Sequence, residues 1–546
     1  MATVKQLDKR SGITYIYESI SYWDKEKKQP RSKRKLIGRL DPSTGDVVPT
    51  DGRGHRRKDL LGKNSSDYAV DKISHTEFKR KFYGATYLLD KIAEKTGITE
   101  DLKKCFPMDY KKILSIAYFL VLEAQNSLSR FSKWERIHKH PYGENITSQR
   151  SSDLFQSITE DARMKFFQLH GKRRTAEEYW AYDTTSISSY SEQLRQVRYG
   201  KNKDGDALAQ INMALLFGEQ SGLPFYYKKL AGNIPDVKTV RNLLQEFVSL
   251  GYRRVKLILD RGFYSKENIN GLYKNRCKFL MSVSTSLSFV KKYMEDVGGD
   301  MRRWENYNHE HGVYHCSNRI EWNYSQERPY KKDCTTAKKR MYLHLYYDPV
   351  KAVDDETKLN HRLASLKEEL LSGNRKDSHE ALYRKYFQIK ETPARGMQIT
   401  VNQEVIDCKK ERFGYFALIS NDVKNPSEAL SRYRNRDMIE KAFDNVKDQL
   451  NCRRLLVSSE RGLDGKLFVE FIALIFTSYI KQKMTEQKLF EKYTLQGLLD
   501  DLDIIECLER PGHDLIVGEV LKSQEAIYTA MGVSPLMAIP SVVIGN

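Results

Sequence analysis

The sequence predicts a mixed α/β fold that a second, mostly β domain interrupts. Three strand-like segments, one helix and one short apolar strand follow each other between residues 178 and 260. A further strand, RFGYFALIS, comes only at residues 412–420 and precedes an amphipathic helix. At 546 residues the chain is too long for one core, so three or four domains are expected.

Composition indicates a polyanionic partner and an intracellular setting. The net charge is +20 and the pI is near 9.3, which favours nucleic acid as the partner, with a surplus of solubilising charge as the alternative. The seven cysteines are odd in number and form no CxxC pair, as expected of reduced thiols in a cytoplasm. We expect no signal peptide and no membrane span, because ILSIAYFLVL and LFVEFIALIF are too short to cross a bilayer.

The first 75 residues predict a small basic β module. ITYIYESISYW alternates like a strand, and the basic segment KKQPRSKRKLIGRL follows it. We expect this module, residues 1–75, to contact DNA phosphates; a flexible basic arm is the alternative.

Residues 76–172 predict a helical domain. YGATYLLDKIAEKTGI and DYKKILSIAYFLVLEA have helical spacing of apolar residues. A basic face would be supplied by Arg150, Lys165, Lys172, Arg173 and Arg174. The domain is interpreted as DNA-binding, with a plain packing domain as the alternative.

Residues 173–284 hold the first part of the α/β domain. EEYWAYDTTSISSYS, DALAQINMALLF and LPFYYKKLAG predict three strands, PDVKTVRNLLQEFVSLG a helix, and VKLILDRG a buried strand. This order fits an RNase H-like fold. We expect residues 285–405 to be an insertion domain in its own right, residues 406–460 the second part of the fold, and residues 461–546 a helical C-terminal region that could dimerise.

Three carboxylates lie at landmarks of this fold. Asp183 ends the apolar run WAYD, Asp260 ends LILD, and Glu440 lies on the helix after the last strand. Each alone is commonly a turn or cap residue. If the two strands are neighbours and the helix packs across them, the three carboxylates meet at one edge. Clustered carboxylates are costly to bury unless they bind a cation such as Mg²⁺. Two such ions can activate the attacking oxygen and stabilise the leaving oxygen of a phosphodiester.

The helix around Glu440 carries a polar strip. In YRNRDMIEKAFDNVK, Tyr433, Arg436, Glu440 and Lys447 project to about 0°, 300°, 340° and 320° around a helix, within about 60° of arc. Ordinary surface charge on an amphipathic helix is the alternative to a functional strip. Asp437 and Asp444 project close to the same face, but neither keeps the spacing to Arg436 and Lys447.

These residues resemble the YREK signature of bacterial insertion-sequence transposases with a DDE active site. The match covers all four residues and all three spacings, and AYDTTS, LILDRGFYS and YYKKLAGNIPD resemble further motifs of that class. The resemblance implies that Asp183, Asp260 and Glu440 are catalytic and bind Mg²⁺, for which Mn²⁺ can substitute. It also implies that Tyr433, Arg436 and Lys447 contact DNA.

The resemblance implies metal-dependent cleavage at transposon ends and transfer of the 3′-OH strand into target DNA, by cut-and-paste. The partners would be double-stranded DNA, both terminal inverted repeats and target, and a second copy of the chain when DNA is bound. We expect the protein to act in the bacterial cytoplasm, at the nucleoid. The alternatives are an RNase H-like nuclease without strand transfer and a non-catalytic DNA-binding protein derived from a transposase.

Two further features of the insertion are interpreted as structural, without a functional role. His309, His311, His315 and Cys316 have zinc-ligand chemistry but no strong motif spacing, so we do not predict a zinc site. Trp304 and Trp322 are predicted to be core residues, although an aromatic in the insertion of related transposases can hold a flipped base.

Overall fold

The chain divides into two compact units, Met1–His75 and Thr76–Asn546. The computed structural model describes residues 2–7, 13–24, 29–41, 45–49, 79–123, 127–173, 178–190, 194–203, 205, 207–252, 254–327, 334–392, 396–436, 454–455, 459–510 and 514–537.

The first unit is a four-stranded antiparallel sheet. Its strands lie side by side in chain order: β1 (Ala2–Leu7), β2 (Thr14–Asp24), β3 (Gln29–Leu40) and β4 (Val47–Pro49). A bulge after Ile16 interrupts the β2–β3 register, and Ile16 is buried. A Cβ atom at Gly38 would lie 2.4 Å from the Val48 carbonyl oxygen, so only glycine lets β4 approach β3 this closely.

The second unit is built on a ten-stranded mixed sheet. Its spatial order is β11-β12-β13-β16-β10-β9-β6-β7-β8, and β17 pairs with β6. The ten strands are β6 (Trp180–Ser189), β7 (Gln210–Gly218), β8 (Pro224–Ala231), β9 (Lys256–Leu259), β10 (Lys278–Val283), β11 (Tyr307–Asn308), β12 (Val313–Glu327), β13 (Cys334–Tyr347), β16 (Tyr415–Ser420) and β17 (Arg454–Leu455).

Three parallel strands, β6, β9 and β10, lie at the centre, and the short β17 also pairs parallel with β6. β9 runs parallel to both β6 and β10, whereas β7, β8 and β16 pair antiparallel with their neighbours. β9 is buried apart from its first residue, as the apolar run LIL predicts for a central strand. The sequence did not predict β10. Its six residues, KFLMSV, form too short a run to separate from the following segment.

Helices pack on both sides of this sheet and form a separate helical body. The helices within and beside the sheet are α7 (Asp236–Leu250), α8 (Lys266–Lys274), α9 (Ser288–Val297) and α13 (Pro426–Arg434). Those of the helical body are α1 (Gly84–Thr96), α2 (Ile98–Cys105), α3 (Tyr110–Leu122), α4 (Phe131–Ile137), α5 (Ser148–Ser157), α6 (Glu160–Lys172), α14 (Glu460–Glu486), α15 (Leu495–Asp503) and α16 (Lys522–Ala530).

The helical body is assembled from both ends of the unit. α14 packs against α3 and α5, and its Gly465 lies so close to Phe155 that a Cβ atom would be 2.0 Å from the carbonyl oxygen. A three-stranded sheet joins the two ends as well, because β18 (Glu506–Glu509) pairs with both β5 (Lys79–Phe82) and β19 (Ile516–Val517). Residues 461–546 therefore complete the body begun by residues 79–172. No helix in the described ranges is both long and apolar enough to cross a bilayer.

The interrupting segment differs from a self-contained β domain. β11, β12 and β13 extend the ten-stranded sheet, because β13 pairs with β16. The rest of the segment has a small core of its own around Leu366, Tyr383 and Ile406. Its elements are α10 (Pro349–Leu371), α11 (Glu380–Tyr386), β14 (Phe387–Thr392), β15 (Gly396–Val401) and α12 (Gln403–Lys410).

Candidate active site

Asp183 and Asp260 follow equivalent positions of two neighbouring parallel strands. Tyr182 of β6 is in register with Leu259 of β9, so the next residue on each strand is one of these aspartates. Both side chains remain partly exposed at this edge of the sheet. The sequence expectation that the two strands are neighbours is thereby met, and the two carboxylates lie close enough that each disfavours the charge of the other.

A lysine and a third carboxylate, neither singled out from the sequence, complete the surroundings of Asp183. Lys203 Nζ lies 3.5 Å from Asp183 Oδ1 and 3.5 Å from Asp236 Oδ2. Asp236 is the first residue of α7, and the Thr184 hydroxyl donates to its Oδ1 at 2.6 Å. In the sequence, NIPD, whose Asp236 begins α7, belongs only to a stretch that resembles a motif of the transposase class. Nothing in the sequence pairs it with Lys203, which lies in a Gly-rich turn.

Asp183 is the more buried of the two strand-end carboxylates. Burial raises the pKa of Asp183 above its ordinary value, although the Lys203 ammonium and the Thr184 backbone N–H act in the opposite direction. That N–H donates to Asp183 Oδ1 at 2.7 Å. A buried carboxylate of this kind gains from any cation placed against it.

Asp260 is held by two of the predicted strip residues. The Tyr433 hydroxyl donates to Asp260 Oδ1 at 2.8 Å, and Arg436 Nη1 lies 3.4 Å from the same oxygen. Burial alone would raise the pKa of Asp260, but Arg436, the Arg261 backbone N–H and the Tyr433 hydroxyl together hold it below its ordinary value. The Arg436 guanidinium also stacks over the Tyr433 ring, 5.1 Å from its centroid.

The helix that carries Tyr433 is shorter than the sequence predicts. α13 ends at Arg434, and Asn435 and Arg436 form a turn in which the Arg436 N–H donates to the Tyr433 carbonyl. Tyr433 and Arg436 therefore meet at Asp260 through a helix end, and not as neighbours on one helical stripe. Glu440 and Lys447 lie outside the described residues, as do Asp437 and Asp444. The N-cap of α13 is Asn425, whose side-chain oxygen accepts from the backbone N–H groups of Ser427 and Glu428.

Side chains from two other parts of the chain hold α13 in place. Its Ser427 and Ser431 hydroxyls bond to His315 Nε2 and His311 Nε2, at 3.0 and 2.8 Å. From the other side, Glu219 accepts from Asn435 Nδ2 at 2.6 Å, and Glu219 is only 6% exposed. The histidines thus anchor a helix. Within the described ranges, no three His, Cys, Asp or Glu side chains group as a preformed metal site.

A basic cleft of about 420 Å³ opens beside Asp260 and extends to the insertion. The rings of Phe413, Tyr415 and Phe416 line one part of it. Its cationic residues come from the loop after β9, from α10 and from the region of α12: Arg261, Lys351, Lys409 and Arg412. An anionic chain that enters this cleft would reach Asp260 directly.

The two insertion tryptophans differ in exposure. Trp322 is partly buried and donates its Nε1–H to Asn270 Oδ1 at 2.9 Å. The prediction of a core residue is wrong for Trp304, which is 79% exposed and stacks on Tyr307. Trp304 begins a short 3₁₀ segment, Trp304–Asn306, at the surface.

The chemistry of the individual donors is of the kind that a hard divalent cation takes. Asp183, Asp236 and Asp260 offer carboxylate oxygens of the type that Mg²⁺ and Mn²⁺ prefer, although the three do not group as a preformed site. The structure already places positive groups against all three, Lys203 on one side and Arg436 on the other. Positive charge is thus favourable at this edge of the sheet.

Comparison with known proteins identifies the family. The profile of the family described as "Transposase DDE domain" matches residues 175–476, more than half of the chain. The chain therefore belongs to the transposase DDE domain family and is a nucleic-acid-cleaving enzyme of the transposase type. Members of this family generally use divalent metals.

Solved transposase structures are more distantly similar. A piggyBac transposase synaptic complex with hairpin DNA is 11% identical with a TM-score of 0.34, over 76% of this chain and 70% of that chain. A Mos1 transposase paired-end complex with the left transposon end is 9% identical with a TM-score of 0.14, over 43% of this chain and 63% of that chain. No curated protein matches the sequence.

Proposed function

We propose that the protein is a DDE transposase of the YREK class, encoded by a bacterial insertion sequence, that cleaves DNA at the element ends and joins the 3′-OH strand to target DNA by cut-and-paste. One observation carries the proposal. Asp183 and Asp260 follow equivalent positions of adjacent parallel strands, and Tyr433 and Arg436 of the YREK set both bind Asp260.

The strand order supports an RNase H-like catalytic fold. β8, β7 and β6 form an antiparallel series, and β9 and β10 then continue the sheet parallel to β6. In open sheets of this kind, functional side chains collect where neighbouring strands end. The proposal places residues 173–284 and 406–460 in this fold, with residues 285–405 as its insertion.

Asp183, Asp260 and Glu440 would hold the metal, Mg²⁺ or in its place Mn²⁺. When bound, the metal supplies activation of the attacking oxygen and stabilisation of the charge on the leaving oxygen. Asp236 lies near enough to Asp183 to share in holding the cation, or to hold Lys203 away from it.

The chain's own side chains position the DNA. The Tyr433 hydroxyl orients the Asp260 carboxylate, and Arg436 is placed to exchange its contact with Asp260 for a phosphate of the cleaved strand. Lys447 would hold a second phosphate. The basic cleft beside Asp260 offers four cations and three rings to the strand as it leaves the scissile bond.

The proposed chemistry has two steps and no covalent protein–DNA intermediate. Water attacks the phosphorus at the element end, and the 3′-oxygen leaves with a proton. The freed 3′-OH then attacks a target phosphodiester, whose own 3′-oxygen leaves, so the number of ester bonds is conserved. Two ends must meet for this joining step, and a homodimer on double-stranded DNA, with one end on each copy, would bring them together.

The test is strand cleavage of the DNA that flanks the protein's own gene, with Mg²⁺ or Mn²⁺. Asp183→Asn, Asp260→Asn and Glu440→Gln should each reduce cleavage by at least about a thousandfold while DNA binding persists. Asp444→Asn is the matched control, because this carboxylate is four residues from Glu440 but outside the YREK spacing.

Three other results would each redirect the assignment. Cleavage that survives Glu440→Gln would place the third carboxylate elsewhere. Cleavage without joining to a supplied target duplex would favour an RNase H-like nuclease. Binding without cleavage by the wild type would favour a DNA-binding derivative.

A further inference from the structure

Half of the β2–β3 hairpin extends beyond the rest of its sheet. β2 and β3 pair from Tyr15↔Arg39 out to Asp24↔Gln29. β1 pairs only with residues 14–19 of β2, and β4 only with residues 38–40 of β3. Residues 20–24 and 29–35 therefore form a two-stranded extension, here called the distal ribbon, with no further strand on either edge within the described part of this unit.

Neither face of the distal ribbon is covered by the residues of its unit that the structure describes. Ile20, Tyr22 and Trp23 are 46%, 49% and 61% exposed, and every residue from Gln29 to Lys35 is exposed. A two-stranded hairpin is marginally stable alone in water, and large exposed apolar side chains on it commonly mark a contact surface. The ribbon therefore has the form of an arm that is completed by a partner.

The chemistry of the two faces differs. Directly opposite residues of a hairpin share a face, so Ile20 lies beside Lys33, and Tyr22 beside Arg31. The opposite face carries the pairs Ser21 with Ser32 and Trp23 with Pro30. The first face thus carries cations with Ile20 and Tyr22 among them, and Glu18 lies opposite Lys35 at its inner end. The other face carries small polar residues and an aromatic end, with Arg34 opposite Ser19.

The charged residues of the ribbon indicate which class of partner it binds. Lys33, Arg34 and Lys35 are consecutive on β3, so they project alternately to both faces of the ribbon. The three cations therefore line the β3 edge of the ribbon. A partner that carries a row of negative charge beside an apolar or hydrogen-bonding floor matches this arrangement.

We propose that the distal ribbon lies in the major groove of duplex DNA. The groove is about 12 Å wide and admits a two-stranded β ribbon. Five residues of strand span about 16 Å, enough to follow the groove across roughly half a helical turn. Lys33, Arg34 and Lys35 would hold phosphates of the groove wall beside β3, while Ile20 and Tyr22 face the base edges. The inference rests on the proposed function only in taking DNA as the substrate.

The experiment compares full-length variants by equilibrium binding across a salt series without divalent metal. The probes are a duplex of the DNA flanking the gene, a scrambled duplex and a single strand of the same sequence. The charge variant is Lys33→Gln with Arg34→Gln and Lys35→Gln. Its matched control removes three exposed lysines of the C-terminal region, Lys488→Gln with Lys492→Gln and Lys522→Gln.

The charge variant should reduce the slope of log affinity against log salt by about 2 to 3 on both duplexes, since each phosphate contact contributes about 0.9. The control variant should leave the slope unchanged. Tyr22→Ser, which keeps every charge, should leave the slope unchanged but reduce the preference for the flanking duplex over the scrambled one by about fivefold or more. Lys33→Gln alone should remove about 0.9 of the slope, which keeps the test open if the triple variant fails to fold.

Two results would overturn the inference. One is a charge variant with the slope of the control, and the other is an equal loss of affinity for the single strand and the duplex. Cleavage by the wild type is measured in parallel. A reduced slope without any wild-type cleavage would sink the proposed transposition chemistry and leave the ribbon as a DNA contact. Normal wild-type cleavage with an unchanged slope in the charge variant would keep the proposed transposition chemistry and reject the ribbon as a DNA contact.

Discussion

Replacing Lys203 by methionine should change how the active site responds to divalent metal. The Lys203 ammonium lies 3.5 Å from oxygens of both Asp183 and Asp236. It thereby neutralises charge that a bound metal would otherwise neutralise. Lys203→Met keeps the length and apolar stem of the side chain and removes only the charge and its hydrogen bonds to Thr184.

The size of the effect follows from the distances and the exposure. Each contact at 3.5 Å corresponds to about 5 kcal/mol at an effective dielectric constant near 20, before desolvation and side-chain entropy oppose it. Lys203 and Asp236 keep 36% and 32% of their side-chain exposure, so solvent screening reduces each contact to about 1 kcal/mol or less. The two contacts together contribute about 1 to 2 kcal/mol. That corresponds to a shift of about tenfold in metal affinity.

The assay is thermal unfolding across a titration of Mg²⁺ or Mn²⁺, in the absence of DNA. Without metal, Lys203→Met should unfold at a lower temperature than the wild type, because two carboxylates lose their cation. With metal, the variant should be stabilised at about tenfold lower concentration. Lys201→Met is the matched control, since this exposed lysine of the same turn should behave as the wild type. An unchanged or weaker metal response of Lys203→Met would refute the argument that Lys203 stands in for the metal's charge.

Three further changes test the surroundings of the site and the fold. Tyr433→Phe removes the hydroxyl that donates to Asp260. The rate of single-turnover cleavage should therefore fall by about tenfold, with little change in DNA affinity. An unaltered rate would show that the hydroxyl does not orient the carboxylate. Glu219→Gln weakens the acceptor for Asn435 at the end of α13. Cleavage should therefore fall by about threefold to tenfold, while the melting temperature changes little. A large loss of stability with normal cleavage would assign Glu219 a structural role only. Burial raises the pKa of Asp90 to about 6, above its unfolded value near 4, so its contribution to stability is complete below about pH 4 and is lost as pH rises through 6. The melting temperature of Asp90→Asn relative to wild type should therefore rise between about pH 4 and pH 7, by the equivalent of about 1 to 2 kcal/mol, and a constant difference would contradict the pKa assignment.

Local sequence patterns were sufficient for the elements that carry the first two carboxylates. WAYD and LILD are apolar runs that end in aspartate, and the structure has them as the neighbouring strands β6 and β9. The prediction succeeds because burial on both faces leaves a near-continuous apolar signature in a central strand. The side chains that surround those carboxylates could not be predicted from local patterns. Lys203 and Asp236 meet only through the tertiary fold, and no periodicity links a lysine in a turn to the first residue of a distant helix.

The remaining differences have the same origin in tertiary structure. Residues 433–436 fit a helix by spacing, yet α13 ends at Arg434 because the chain turns to bring Arg436 back to Asp260. β12 and β13 fit the prediction of a mostly β insertion, but the pairing of β13 with β16 makes them part of the main sheet. Pairing across long separations leaves no trace in local composition. The predictions for Glu440 and Lys447 stay predictions, since both lie outside the described residues.

The pairing of β5 with β18 sets the time at which the protein can finish folding during its synthesis. Arg80 and Glu506, which form an ion pair across these two strands, are 426 residues apart in the chain. α1 packs against α15 so closely that a Cβ atom at Gly84 would lie 2.2 Å from the Leu502 carbonyl oxygen. The apolar faces of α1 and α3 must therefore wait for almost the whole chain to leave the ribosome. A truncated product that ends before Leu495 would expose them, and such a chain is a substrate for chaperones or proteases before it is ever an enzyme.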